Sequence, residues 1–233
     1  MDNYLNDLKL LVFDWDGTLM DSEAQIVGCM RAAAADLALP ERSPDEIRNI
    51  IGLGLTEAVT SLYPEHGETL VGELASRYRE HWLSQLEAST LFPGVVETLQ
   101  LLKEEGFLLA VATGKGRAGL DQALAMTGLD AVFDATRCAD ETRSKPHPQM
   151  LHEIMQALDV PGTRTAMIGD TEYDMAMARN ANTHPVAVSY GVHEWERLQP
   201  HAPVVCLERF TDINDWLAEL RLRRTPLAAD QTA

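Results

Sequence analysis

The chain has 233 residues, enough for one or two domains, and 45% of them are hydrophobic, which excludes a disordered protein. Its 36 acidic residues outnumber its 19 basic ones, and the formal net charge of -17 disfavours binding to nucleic acid or to anionic membranes. Three widely spaced cysteines and an early apolar run of only Leu10–Phe13 argue against disulfides, thiolate zinc, a signal segment and a membrane span, so we expect a cytoplasmic protein.

The first predicted element is a buried strand that ends in a pair of aspartates. The run Leu8–Phe13 is short, apolar and rich in β-formers, as expected for a parallel strand covered on both faces. It breaks at Asp14 into a loop that contains Asp16 and Gly17. The pattern therefore predicts that Asp14 lies at the carboxyl end of a strand.

A helical insert follows this strand. Segments rich in alanine and leucine span residues 22–39, 44–61 and 67–88, and proline and glycine residues separate them. No strand is predicted in this region. An insert of roughly 70 residues is too long for a simple crossover and is typical of a functional lid. We predict that residues 19–90 form a small second domain.

Strand–helix alternation resumes after Pro93-Gly94. A helix is predicted at Val95–Glu105 and the last helix ends near Leu220. Four further strands are predicted at Phe107–Thr113, Ala131–Thr136, Thr165–Gly169 and His184–Val188. Alternation of this kind predicts an α/β fold with a doubly wound, Rossmann-like parallel sheet, built from residues 1–18 and 91–222. Residues 223–233 are predicted to be a disordered tail.

Reactive side chains follow several predicted strands, where open parallel sheets bind ligands. They are Asp14 with Asp16, Thr113 with Lys115, Lys145, and Asp170 with Asp174. Taken singly, the aspartates and the threonine could cap helices, and the lysines could be solvated loop charges. Four carboxylates at one sheet edge would repel one another strongly unless a divalent cation and a lysine neutralised them. Together they favour a metal site.

In this order and on these elements, the residues resemble the four motifs of the haloacid dehalogenase superfamily of phosphatases. The resemblance covers nearly the whole chain and is most specific in its first and last motifs. These motifs are Asp14-Trp15-Asp16-Gly17-Thr18-Leu19 followed by Asp21-Ser22, and Gly169-Asp170 with Asp174. Thr113 and Lys145-Pro146 are weaker matches that fall where the family requires them. The first motif looks closest to phosphoglycolate-phosphatase-like members.

The resemblance implies a Mg²⁺-dependent phosphatase in which Asp14 is the nucleophile and Asp16 is general acid and then base. It further implies that the metal is held by Asp14, Asp16, Asp170 and Asp174, Asp16 contributing its backbone carbonyl. Thr113 and the backbone at Gly114 would bind phosphoryl oxygens, Lys145 would offset negative charge, and Lys115 would assist at the rim.

The insert falls where this family has its small all-helical cap, which implies a lid that closes over a small phosphorylated substrate. Arg48, with Gly52 and Gly54, loosely resembles the cap segment that faces the active site, although such an arginine could equally be a solvated charge. The substrate and the oligomeric state stay open, because the motifs address only a phosphoryl group.

Other functions compete with this interpretation. Gly114-Lys115-Gly116-Arg117-Ala118-Gly119, with Asp134 about twenty residues later, matches the spacing of a dinucleotide fingerprint and would suggest an NAD-binding oxidoreductase. It follows the second strand of the sheet and leaves the aspartates unexplained. Within the superfamily, Asp16 argues against a dehalogenase, whereas a sugar-phosphate mutase or a pyrophosphatase stays possible. A non-catalytic binding module would not need both Asp14 and Asp16.

Overall fold

A six-stranded parallel sheet forms the centre of the core. The computed structural model describes residues 5–85 and 89–222 of the chain. The strands in the described residues are β1 Leu10–Phe13, β2 Met20–Asp21, β3 Thr90–Leu91, β4 Leu108–Thr113, β5 Ala135–Cys138, β6 Thr165–Gly169, β7 His184–Val188 and β8 Val205–Leu207. The sheet order is β5-β4-β1-β6-β7-β8, which places β1 in the middle with parallel neighbours on both sides.

Helices cover both faces of this sheet. The helices in the described residues are α1 Glu23–Asp36, α2 Pro44–Arg48, α3 Leu55–Leu62, α4 Glu68–Leu83, α5 Val95–Glu104, α6 Arg117–Thr127, α7 Gln149–Leu158, α8 Glu172–Asn180, α9 Trp195–Leu198 and α10 Asp212–Leu222. Leu11 and Phe13 of β1 pack with α5, α6 and α10, whereas Leu10 and Val12 pack with α7 and α8. Because both faces are buried, β1 is apolar at every position.

The insert has an apolar core of its own. Residues of α1 to α4 form a separate buried cluster that includes Met30, Ile47, Val59 and Leu74. The antiparallel pair β2–β3 lies at the two ends of the insert, with Met20 opposite Leu91. The helical composition of the insert is therefore as predicted, but the prediction that the region contains no strand is wrong.

Several element boundaries differ from the sequence predictions. The predicted strand Ala131–Thr136 lies instead at Ala135–Cys138, because the preceding apolar residues Val132 and Phe133 pack against the core from a loop. The predicted helix 44–61 is divided into α2 and α3 by a turn at residues 49–54. The strand β8 was not predicted. The residues 86–88 of the predicted third helical segment and the predicted tail 223–233 lie outside the described residues.

The doubly wound α/β fold with an inserted helical unit is confirmed. Within the described residues, no helix has the length and apolar character needed to cross a lipid bilayer.

Candidate active site

Three adjacent strands bring predicted site residues together at their carboxyl ends. Asp14 follows β1, Thr113 ends β4, and Asp170 follows β6. The Asp14 backbone N–H continues the sheet by donating to the Ile168 carbonyl at 2.9 Å. The chain first builds β4 and β5 on one side of β1 and then β6 to β8 on the other. The site therefore occupies the switch point at which such sheets bind ligands.

A buried cluster of three carboxylates lies at these strand ends. Asp14, Asp170 and Asp174 each offer one oxygen, and these oxygens lie within 4.8 Å of one another. The Lys145 ammonium is equally buried and lies 2.8 Å from Asp14 Oδ1 and 2.7 Å from Asp174 Oδ1. We call these four residues together with Asp16 the carboxylate floor. Within the cluster, one buried positive charge faces three acidic groups.

The buried, mainly acidic surroundings raise the pKa values of two of the aspartates. Burial, together with the negative charges of Asp174 and Asp170, holds the pKa of Asp14 well above its usual range, although Lys145 opposes the shift. Burial and the charge of Asp174 raise the pKa of Asp170 to about 7. Burial by itself would lower the pKa of Lys145, but Asp14 and Asp174 outweigh it and keep the pKa above its ordinary value. The site therefore favours additional positive charge.

Hydrogen bonds hold two of the carboxylates in place. Asp170 accepts from the Thr18 hydroxyl at 2.8 Å and from the Val192 N–H at 2.9 Å. Asp174 Oδ2 accepts from the Thr171 hydroxyl at 2.6 Å, within a capping box that starts α8. Gly17 has a positive φ of 80°, and a Cβ there would overlap the Asp170 carboxylate. A residue of the same capping box thus orients Asp174, whereas residues from distant segments orient Asp170.

One oxygen of the cluster has neither a hydrogen bond nor an ion pair. Asp14 Oδ1 accepts from the Trp15 N–H at 2.7 Å and pairs with Lys145, but Asp14 Oδ2 is buried and receives no hydrogen bond. A buried carboxylate oxygen of this kind is costly unless a ligand or metal completes it. The oxygen-only donor set of Asp14, Asp170 and Asp174 fits a hard divalent cation.

Asp16 belongs to a second, smaller network beside the cluster. Its Oδ1 accepts from the Ser22 hydroxyl at 2.6 Å and lies 2.9 Å from the Lys115 ammonium. The Lys115 ammonium also lies 4.0 Å from the centre of the Trp82 ring, which belongs to α4 of the insert. Although Asp16 is only two residues from Asp14, its side chain contacts Ser22 and Lys115 and not the carboxylate cluster.

Contacts between the insert and the core close the site. A Cβ at Gly114 would collide with the carbonyl oxygens of Leu53 and Gly52, so only glycine allows this close approach of the two loops. The Gly54 N–H donates to the Ser144 hydroxyl at 2.7 Å. Behind these contacts, Thr113 is fully buried and its hydroxyl accepts from the Lys115 N–H at 3.1 Å.

The structure leaves two sequence-predicted groups out of the site. The Arg48 guanidinium pairs with Glu23 at 2.5 Å and with Asp45 at 2.7 Å, and it does not line the cavity described below. Asp134 of the dinucleotide fingerprint pairs with Lys103 and accepts from the Leu109 N–H. Since Leu109 is near the start of β4, Asp134 lies at the amino ends of the strands, opposite to the carboxyl ends that carry the site.

Other residues in the site were not named as site residues from the sequence. Ser22 and Thr18 lie within the first motif, so its spacing carried a signal for them. Val192 donates its backbone N–H to Asp170, and its side chain gives no indication in the sequence of this role. Trp82 was not identified as a site residue, because nothing in the sequence places α4 beside Lys115.

A cavity of about 290 Å³ lies between the carboxylate floor and the insert. Asp14 and Asp16 reach it from below, Gly114 and Lys115 from one side, and residues of α1, α3 and α4 from above. Clefts for small ligands have volumes of roughly 300–1,000 Å³, so this one suits a small molecule.

A doubly wound parallel sheet with a buried, lysine-neutralised carboxylate cluster at its switch point defines an α/β enzyme with a candidate metal centre. More specifically, residues 11–188 match the haloacid dehalogenase-like hydrolases, and the chain belongs to that family. The sequence-based identification of the superfamily is therefore confirmed, as is the prediction that the protein is a hydrolase.

Individual relatives support the same family. The chain is 36% identical over 210 residues to the probable phosphatase IndB of Dickeya dadantii, covering 88% of this chain and 91% of that protein. It is 31% identical over 218 residues to a phosphoglycolate phosphatase of Colwellia psychrerythraea, covering 90% and 96%. The crystal structure of a hydrolase from Pseudomonas syringae aligns with a TM-score of 0.84 at 24% identity, covering 91% and 98%, and shows the shared fold.

Proposed function

We propose that the protein is a Mg²⁺-dependent phosphatase that hydrolyses a small phosphate monoester through an aspartyl-phosphate on Asp14. The observation that carries this proposal is the Asp14 carboxylate, which has one oxygen held by Lys145 and Trp15 and the other free and buried at the cavity. A carboxylate fixed in this way is suited to act as a nucleophile.

In the first step, Asp14 Oδ2 attacks phosphorus while the bond from phosphorus to the leaving oxygen breaks. Asp16 donates its proton to that oxygen, so the leaving group departs as a neutral alcohol. The Ser22 hydroxyl, 2.6 Å from Asp16 Oδ1, and the Lys115 ammonium, 2.9 Å away, orient the Asp16 carboxyl group for this transfer.

In the second step, Asp16 accepts a proton from water as the water oxygen bonds to phosphorus. The bond between phosphorus and Asp14 breaks, and inorganic phosphate and the free Asp14 carboxylate are restored. The same side chain acts first as acid and then as base, since its first step leaves it deprotonated.

Charge balance comes from Lys145 and from the metal. Lys145 contacts both Asp14 and Asp174, so it can offset charge as the phosphoryl group approaches Asp14. Asp14, Asp170 and Asp174 would hold Mg²⁺, which would supply electrostatic stabilisation of the phosphoryl oxygens. Thr113 and the Gly114 backbone at the end of β4 are the proposed phosphoryl contacts.

Two other reactions could use the same residues. A sugar-phosphate mutase would return the phosphoryl group to a second hydroxyl, and a pyrophosphatase would release two phosphates. The phosphoglycolate phosphatase of Colwellia psychrerythraea, which is 31% identical to this chain, supports hydrolysis of a phosphate ester. Product analysis separates the three, because only a mutase yields an isomeric sugar phosphate with little free phosphate.

The decisive test compares Asp14→Asn with the wild-type protein on a panel of phosphate esters, with Mg²⁺ present or chelated. We expect phosphate release to fall by more than about a thousandfold in the variant and to be lost on chelation, because nucleophile and metal act together. Asp130→Asn makes the same chemical change at an exposed loop position and should keep full activity.

Hydrolysis that survives Asp14→Asn or full chelation would rule out the phospho-aspartate mechanism. Intact-mass analysis adds an independent readout, since the wild-type protein should gain one phosphoryl group during turnover and Asp14→Asn should gain none.

A further inference from the structure

Apolar side chains of the insert face the carboxylate floor across the cavity. We propose, resting on the phosphatase function above, that the preferred substrate is a phosphate monoester whose leaving group is uncharged and apolar. The apolar lining of the cavity, its charges and its size support this preference.

The part of the insert that lines the cavity is mainly hydrophobic. It includes Ile26 and Met30 of α1, Ile51 and Leu53 of the turn before α3, and Tyr78 and Trp82 of α4, which we call the cap wall. The Tyr78 and Trp82 rings are stacked, with their centres 6.1 Å apart. A leaving group that displaces water from such a surface gains roughly 25 cal/mol for each Å² of apolar area buried.

The cavity lining has few cations that could bind a second anionic group on the substrate. The described residues that line the cavity include two cations, Lys115 and Arg79. Lys115 is already paired with Asp16 at 2.9 Å, and Arg79 is exposed to solvent. A carboxylate or a second phosphate on the substrate would therefore lack a buried counter-charge.

Negative charges on the cavity lining further disfavour a substrate with a second anionic group. Beyond Asp14 and Asp16, the cavity is lined by the carboxylates of Glu57 and Asp140. Like charges at short range cost binding energy and give selectivity against the wrong ligand. The volume of about 290 Å³ limits the leaving group to a small one.

The experiment measures kcat/KM for ethyl phosphate, 2-phenylethyl phosphate, phosphoglycolate and pyrophosphate with Mg²⁺ present. The first two esters release primary alcohols of similar basicity, so their difference reports contacts of the leaving group and not chemical reactivity. We expect 2-phenylethyl phosphate to exceed ethyl phosphate by about tenfold or more, and the two polyanions to fall below ethyl phosphate.

A charged substitution in the lining gives an independent readout. Leu83 lines the cavity and its side chain is largely exposed, so Leu83→Lys should fold normally. It should raise kcat/KM for phosphoglycolate relative to 2-phenylethyl phosphate by about tenfold, by adding a cation and removing apolar surface. Leu101→Lys changes an exposed leucine of α5 outside the cavity and should leave this ratio unchanged.

Failure of this inference is distinguishable from failure of the phosphatase function. Preference for phosphoglycolate or pyrophosphate, or equal rates for the ethyl and phenylethyl esters, overturns the apolar leaving group while hydrolysis through Asp14 stands. An identical substrate ratio in Leu83→Lys and wild-type protein also overturns it. Absence of hydrolysis of every ester, or hydrolysis that persists in Asp14→Asn, overturns the phosphatase function itself.

Discussion

The carboxylate floor and the cap wall meet at one cavity but differ in almost every physical property. The floor lies at the carboxyl ends of the strands; its Lys145 and three clustered aspartates are buried, and Lys145 pairs with Asp14 and Asp174. The cap wall stands on helices of the insert and consists mainly of apolar side chains. Under the proposed function, the floor would bind the phosphoryl group and the wall would bind the rest of the substrate.

The two surfaces also differ in what they contribute to stability. Apolar residues of the wall favour folding by being buried, whereas burial and neighbouring negative charges raise the pKa values of Asp14 and Asp170 in the floor. Active sites commonly carry such a cost in stability for the sake of function. Substitutions in the floor and in the wall should therefore have different signatures.

The largest expected effect is that of Lys145→Met. Removing the ammonium leaves Asp14 and Asp174 buried without their counter-charge, so the free energy of unfolding should fall by about 3–5 kcal/mol and activity should be lost. Urea denaturation measures the loss. Lys103→Met breaks the more exposed pair with Asp134 and should cost no more than about 1 kcal/mol. Equal losses in the two variants would contradict a buried, charge-balanced floor.

Asp16→Asn should have the next largest effect. Loss of a general acid and base lowers kcat by about 10²- to 10⁴-fold. With an aryl phosphate, whose leaving group needs little protonation, the first step should continue and the phosphorylated protein should accumulate. Intact-mass spectrometry during turnover detects it.

Ser22→Ala serves as the matched comparison for Asp16→Asn. It removes only one hydrogen bond to Asp16, so the fall in kcat should be less than about tenfold, with no accumulation. If Asp16→Asn shows no phosphorylated protein under conditions where the wild-type protein does, Asp16 does not serve the second step.

Gly114→Ala tests the contact at which the insert meets the core. The added Cβ would press on the Leu53 and Gly52 carbonyl oxygens and hold the insert away from the floor. We expect kcat/KM to fall by about ten- to a hundredfold with little change in thermal stability, because the geometry of the closed site is disturbed. Gly72→Ala, on α4 with open space around it, should leave kcat/KM unchanged. Equal activity in both variants would show that this contact is not needed for catalysis.

Much of the fold could be predicted from the sequence, because the strands of a doubly wound sheet are short apolar runs that end in polar loops. The positions of Asp14, Thr113 and Asp170 after their strands follow from that pattern. The break between α2 and α3 and the loop position of Val132 and Phe133 do not, since apolar residues suit a helix, a strand or a packed loop equally well.

The amino-acid sequence by itself determined the family, the parallel sheet and the set of carboxylates at its edge, because these depend on local hydrophobic pattern and on residues close to strand ends. Only the tertiary structure decided which partners those groups have. Lys145 lies between Asp14 and Asp174, Trp82 covers Lys115, and Arg48 pairs away from the cavity. These contacts join residues that are far apart in the chain, and the contact between Lys115 and Trp82 forms only where the insert packs against the core.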